Sequence, residues 1–145
     1  MRIMLFMAAV LAVLAAPAAH AEPVARVAIH VDDNDPKRMN LALNNAANIH
    51  KYYADKGQEV AIAIVANGPG LHMFRADTSP VKDRISVMSL EIPGIEFQGC
   101  GNTHRVMTEK AGGTAPEIVE EVQMIPSGAV QLIELQQQGW AYLKP

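Results

Sequence analysis

Two short runs, Val24–Val31 (VARVAIHV) and the VAIAIVA inside Gln58–Ala66, constrain the fold more than any other feature of this sequence. Both are β-rich and apolar at nearly every position, not at alternate ones. A strand with that pattern is covered on both faces, as in a parallel sheet between layers of helix. Parallel neighbours cannot be joined by a tight turn; they need a crossover, usually helical. The sequence between the two runs supplies one. Asp32-Asp33-Asn34-Asp35-Pro36 stops the first strand, with Asp35 placed to cap a helix and Pro36 to occupy its first turn. Met39, Leu43, Ala46, Ala47, Ile49 and Tyr53 then recur at helical spacing, and Gly57 ends that helix.

The alternation continues to the end of the chain. Asn67-Gly68-Pro69-Gly70 closes the second strand as a tight turn. Pro80 opens an amphipathic segment with Val81, Ile85, Met88 and Ile92 on one side and Lys82, Asp83 and Arg84 opposite. Ile95–Gln98 is a short third strand running into Gly99-Cys100-Gly101, and Asn102 or Thr103 is the N-cap of a helix through Lys110 that breaks at Gly112-Gly113. Val122–Ile125 reads as a fourth strand, Ser127 as the cap of a helix to Gln138, and Trp140–Leu143 as a last strand. Such a chain folds as an open, mainly parallel sheet with helices on both faces. Handed crossovers then put the strand-to-helix loops at one edge, where ligands bind in open α/β sheets. That rim comprises Asp32–Asp35, Asn67–His72, Cys100–Thr103 and Pro126–Gly128, and the only cysteine lies in it.

The first residues, MRIMLFMAAVLAVLAAPAAHAEP, have the form of an export signal. Arg2 is the positive start, Ile3 to Leu14 the apolar run, and Ala19-His20-Ala21 the cleavage site before Glu22. The run falls short of the roughly 20 residues of a membrane span; the alternative is a retained N-terminal anchor. The expectation is a cleaved signal peptide (1–21), a periplasmic location and one domain over 22–145, with no membrane span after cleavage. Without Arg2 the chain has 11 basic and 15 acidic residues, a formal charge of −4. It has no run of Lys or Arg, which argues against nucleic acid and anionic membranes as partners. One cysteine rules out an internal disulfide framework.

Cys100 is the main candidate for chemistry. One reading makes it a small, half-buried hydrophobe. The other makes it a thiolate at a helix N-terminus, where unpaired N–H groups lower a thiol pKa, with Gly99 and Gly101 letting a substrate approach. An accessible lone thiol in an oxidising compartment forms mixed disulfides, persulfides or sulfenic acid. His104, four residues on, would serve as its base if the helix began early. Asn67 and Gly68 line the rim beside it, in a turn that is neither GxGxxG nor a Walker loop. Asp32–Asp35 lacks the glycine and distal glutamate of an EF-hand and reads as a solvated capping turn. The histidines are not at metal-site spacing, so no metal is assigned, and copper on Cys100, His72 and His104 with Met73 or Met107 is the weaker alternative. No cofactor is expected. A serine hydrolase is unsupported without G-x-S-x-G.

Taken together, NGPG after the second strand, FQGCGNT after the third, and the closing VQMIPSGAVQLIELQQQGWAYLKP resemble the DsrE/DsrF-like sulfur-relay family, in its secreted single-domain branch. The resemblance spans the mature chain. It implies the family's YchN-like fold, a three-layer α/β/α arrangement around a five-stranded, mainly parallel sheet, and a tendency to homo-oligomerise. It also implies that the cysteine at this position, Cys100, carries sulfur as a persulfide. The expected function is a periplasmic protein handling reactive sulfur through a persulfide or mixed disulfide on Cys100. It would be a carrier rather than a self-sufficient enzyme, with a sulfur-donor or acceptor protein or a small thiol as partner. The rim residues are Asn67, Gly68, Gly101, Asn102, His104 and Ser127. The alternative is a non-catalytic oligomeric binding or scaffold module in which Cys100 only packs; an enzyme binding a small molecule at the rim comes third. N-terminal sequencing of the exported protein should find Glu22 first, and a retained Met1 would overturn the signal-peptide reading.

Overall fold

The computed structural model describes residues 25–145; the expected signal peptide (1–21), the cleavage expected before Glu22 and Val24 lie outside the described residues. In chain order the elements are β1 (Ala25–Val31), α1 (Pro36–Ala54), β2 (Val60–Ala66), a 3-10 helix (Gly68–Phe74), α2 (Lys82–Glu91), β3 (Ile95–Cys100), α3 (Gly101–Lys110), β4 (Val122–Ile125), α4 (Gly128–Gln137) and β5 (Ala141–Leu143). The strands form one sheet in the order β4-β3-β2-β1-β5, and every neighbouring pair is parallel. From β1 to β4 each strand is laid beside the last. The final connection, through α4, carries the chain back across the sheet to set β5 against the free edge of β1.

The two faces of the sheet carry unequal cores. On one, Val27, Ile29, Val31, Ile62, Ile64 and Phe97 pack with Met39 and Leu43 of α1, Ile85 and Met88 of α2, and Leu71, Met73 and Phe74 of the 3-10 helix. Met107 of α3 joins this face. On the other, Ala28, Ala63 and Val65 meet Leu132 and Leu135 of α4, with Ile125 and Trp140 alongside. Alternate positions of one strand, Val27 and Ala28 for example, therefore serve different cores. Together α1, α2 and α3, the sheet, and α4 make three layers. No helix among the described residues is long and apolar enough to cross a membrane.

Local signals end the elements. Asp35 accepts from the Lys37 N–H at 2.8 Å with Pro36 in the first turn of α1, and Gly57, after α1, has φ +66. The Ser127 side chain accepts from the Val130 N–H at the start of α4. Three expectations change. The Asn67–Gly70 turn continues into a 3-10 helix that buries Leu71, Met73 and Phe74. The third strand extends to Cys100, because Gln98, Gly99 and Cys100 pair with Gln123, Met124 and Ile125 of β4. The N-cap of α3 is consequently Cys100 itself, and Asn102 and Thr103 lie inside the first turn.

Gly70 holds the 3-10 helix against the end of β1: a Cβ there would lie 2.2 Å from the Val31 carbonyl oxygen and 2.8 Å from the Asp32 Cα. Both are backbone atoms, so no side-chain rotation relieves the clash. Gly112, at φ +70, faces open space. Gly70→Ala should therefore lower the free energy of unfolding in urea by about 2–3 kcal/mol, against about 1 kcal/mol for Gly112→Ala. Equal losses would contradict the packing role.

Candidate functional site

Adjacent strands whose outgoing helices lie on opposite faces open a crevice at their carboxyl ends. Here those strands are β3 and β4, because α3 joins the face of α1 and α2 while α4 covers the other. Cys100, the last residue of β3 and 5% exposed, sits at that point.

Both helices start on its sulfur. The Gly128 N–H of α4, the Asn102 and Thr103 N–H groups of α3, and the Thr103 hydroxyl lie around Sγ as donors that favour its anion. Glycines make this convergence fit. A Cβ on Gly101 would lie 3.0 Å from the Ile125 carbonyl oxygen; one on Gly128 would lie 3.0 Å from the Asn67 Cβ and 3.3 Å from the Cys100 Cβ. The Asn102 N–H also reaches the Pro126 carbonyl at 3.2 Å, tying the two loops together.

Burial pushes the Cys100 thiol pKa up, but the Gly128 N–H, the Thr103 hydroxyl and N–H, and the Asn102 N–H act against it, and the net shift is below the ordinary thiol value. Donors aimed at the sulfur favour its anion over its neutral form. Thr103 is oriented for this role. Its Oγ1 accepts from the Gly68 N–H at 2.9 Å, which leaves its single proton to donate to Sγ.

Asn67 borders the same crevice. Its Oδ1 lies 3.1 Å from His30 Nε2, and His30 Nδ1 lies 2.7 Å from the Tyr142 hydroxyl. An acceptor facing Nε2 requires the proton on that nitrogen, so Nδ1 accepts from the tyrosine. The chain Tyr142–His30–Asn67 thus orients the Asn67 amide beside Gly128 and links β5, β1 and β2 to the cysteine's surroundings.

Of the residues read from the sequence, Cys100, Asn67, Gly68, Gly101 and Asn102 come together here. Ser127 contributes indirectly: its side chain caps α4, so it steadies the helix start whose Gly128 N–H meets the sulfur. His104 is a correction. Its Nε2 donates to the Pro116 carbonyl at 2.8 Å, so it is no base for the thiol. The two side chains do not share a helix face, because Cys100 is extended (φ −72, ψ 114) and the helix begins only at Gly101. His72 is likewise tied to a carbonyl, that of Thr78, and among the described residues no three of His, Cys, Asp or Glu gather as metal ligands. The acidic turn is already committed, with Asp32 on Lys144 at 2.6 Å, Asp33 on Arg38 at 3.1 Å and Asp35 capping α1. Thr103 and Gly128 fall in loops the sequence assigns to the rim, though neither was singled out as a donor to the sulfur; His30 and Tyr142 are site residues that the sequence did not indicate. A hydroxyl three residues after the cysteine was a signal for Thr103; the His30–Tyr142 pair, 112 residues apart, offered none.

Alkylation of Cys100 followed against pH should show its midpoint below that of an ordinary thiol, with the rate rising as pH climbs through it. Thr103→Val removes the hydroxyl donor and should move the midpoint upward, while Thr103→Ser should restore it. An unchanged midpoint in Thr103→Val would remove the hydroxyl from the account.

No family model and no curated protein matches the chain. Among solved structures it is similar to that of MTH1491 from Methanobacterium thermoautotrophicum, a protein of unknown function. The two are 29% identical with a TM-score of 0.71, over 83% of this chain and 99% of that one, and the likeness extends to the whole α/β architecture.

Proposed function

We propose that this protein is a DsrE/DsrF-like sulfur carrier, exported to the periplasm, that holds sulfur as a persulfide on Cys100. The observation that carries the reading is the convergence of two helix starts and the Thr103 hydroxyl on one lone thiol. Such a setting favours a thiolate, which is both the nucleophile that takes sulfur up and the leaving group when sulfur is passed on.

Loading is a displacement. The Cys100 thiolate attacks the outer sulfur of a donor persulfide; the donor's S–S bond breaks, its thiolate leaves, and Cys100 becomes S–SH. Delivery reverses the roles: an acceptor thiolate attacks the outer sulfur and Cys100 departs as thiolate, stabilised by the same N–H groups. No net oxidation occurs in either step. The chain has no second cysteine to resolve the persulfide as an internal disulfide. The loaded state therefore lasts until an outside thiol arrives, which is the behaviour of a carrier. The motif resemblance and the export segment support the assignment; the similar structure supports the fold and adds no activity.

A second reading, an oligomeric scaffold in which Cys100 only packs, is favoured by two observations. Cys100 is 5% exposed, and Val130 and Ile133 on α4 are half-exposed, an apolar face suited to a second copy. Incubation with inorganic polysulfide distinguishes the two. Mass spectrometry should show wild type gaining whole sulfur atoms that reductant removes, and Cys100→Ser gaining none while still folding. A wild type that gains no sulfur although its thiol alkylates readily would leave the scaffold.

A further inference from the structure

A cavity of about 400 Å³ lies beside the sulfur site, lined by the 3-10 helix and α3. Asn102 and Thr103, whose N–H groups reach Sγ, line one end. Pro69, Val106 and Met107 supply apolar wall, and Lys110 lies furthest along the helix from the cysteine. The volume is that of a small-molecule site, commonly about 300–1,000 Å³. The residues repeat at helical spacing, Thr103 with Met107 and Val106 with Lys110, so they line one side of α3. Val106 leaves 38% of its surface open to solvent. No carboxylate among the described residues pairs with the Lys110 ammonium; its neighbour Glu109 is engaged by Arg105 at 2.7 Å.

Cys100 does not itself line the cavity but adjoins its end through Asn102 and Thr103. A sulfur there, an apolar wall, and a cation with no partner among the described residues select a ligand with complementary parts in the same order. We propose that this groove binds a small-molecule persulfide whose apolar chain ends in a carboxylate, and that this molecule is the sulfur donor to Cys100. The inference rests on the sulfur-carrier reading and names its substrate class. Asn102 and Lys110 are eight residues apart, about 12 Å along a helix rising about 1.5 Å per residue. Long side chains on a helix point back toward its N-terminus, the direction that would bring the Lys110 charge nearer the sulfur. A medium-length alkyl chain then spans the groove with its carboxylate on Lys110 and its S–S bond at Cys100. The thiolate takes the outer sulfur, and the carboxylated thiolate R–S⁻ leaves along the groove. Inorganic polysulfide would use the upper end alone.

Symmetric disulfides probe the groove without an added oxidant, because the Cys100 thiolate displaces one half and keeps the other as a mixed disulfide. The rate of that adduct, read by mass spectrometry, is compared for the disulfides of mercaptopropionate, mercaptohexanoate and the hydroxyl-terminated mercaptohexanol. The hexanoate should outpace the propionate by about tenfold, since each fully buried methylene is worth roughly fourfold and the groove is partly open. It should outpace the hexanol by about threefold, the scale of an exposed ion pair. Lys110→Gln should bring that last ratio to about one, as should high salt, and Val106→Glu should abolish the chain-length effect. Equal rates across chain lengths, or a carboxylate preference that survives Lys110→Gln, would overturn the proposal. Uniform rates with normal polysulfide loading reject the groove and keep the carrier. The expected pattern without polysulfide loading rejects the carrier, and with it a persulfide as donor.

Discussion

β2 is buried at six of its seven positions, and its neighbours β1 and β3 are largely closed off on both sides. A strand apolar on both faces is stable only when both faces are covered, and this requirement organises the molecule. Three of the connections supply helix to one face. Only the last, through α4, is left for the other, so α4 must start beside β4 and recross the sheet. The small residues Ala28 and Ala63 lie under it and form that second core with Leu132 and Leu135.

The site is a consequence of that recrossing. Because α3 and α4 leave neighbouring strands toward opposite faces, their N-termini arrive at the same place from two directions. Each brings unpaired N–H groups, and a side chain at the end of β3 is the group within reach of both. Burial alone would make Cys100 a worse acid, as for any thiol taken out of water. The directed donors outweigh it, and Gly101 and Gly128 are the condition for their approach, since a Cβ at either position would press on the opposing loop or on Asn67. A lowered thiol pKa and low exposure therefore coexist. A sulfur this enclosed is within reach only of groups that fit the rim; under the carrier reading proposed above, that limits indiscriminate oxidation.

The polar periphery acts as a frame for this centre. Tyr142 and His30 hold the Asn67 amide from the far side of the sheet. Lys144 on Asp32, and the Pro145 carbonyl accepting from Arg38, fasten the segment after β5 to the β1–α1 loop and the first turn of α1. The short β5 thus belongs to the site's support as well as to the sheet: its hydroxyl at Tyr142 is the first member of a hydrogen-bond chain that ends beside Gly128.

Much of this was legible in the order of residues because it depends on neighbours. Apolar-throughout strands, the Asp35-Pro36 and Ser127 caps, and the helical spacing of Val81, Ile85, Met88 and Ile92 are local patterns, and each became the element they describe. The parallel three-layer class and the rim position of Cys100 follow from the same patterns plus the handedness of crossovers. Strand order does not, since it depends on which edge of the sheet the last strand finds. Nor does the sulfur's full environment: Gly128 meets Cys100 Sγ, and His30 meets Tyr142, through pairings between residues far apart in the chain. The His104 expectation failed at this boundary. Its spacing from Cys100 was right for one helix, but pairing with β4 kept Cys100 in the strand, and only the tertiary structure could decide that.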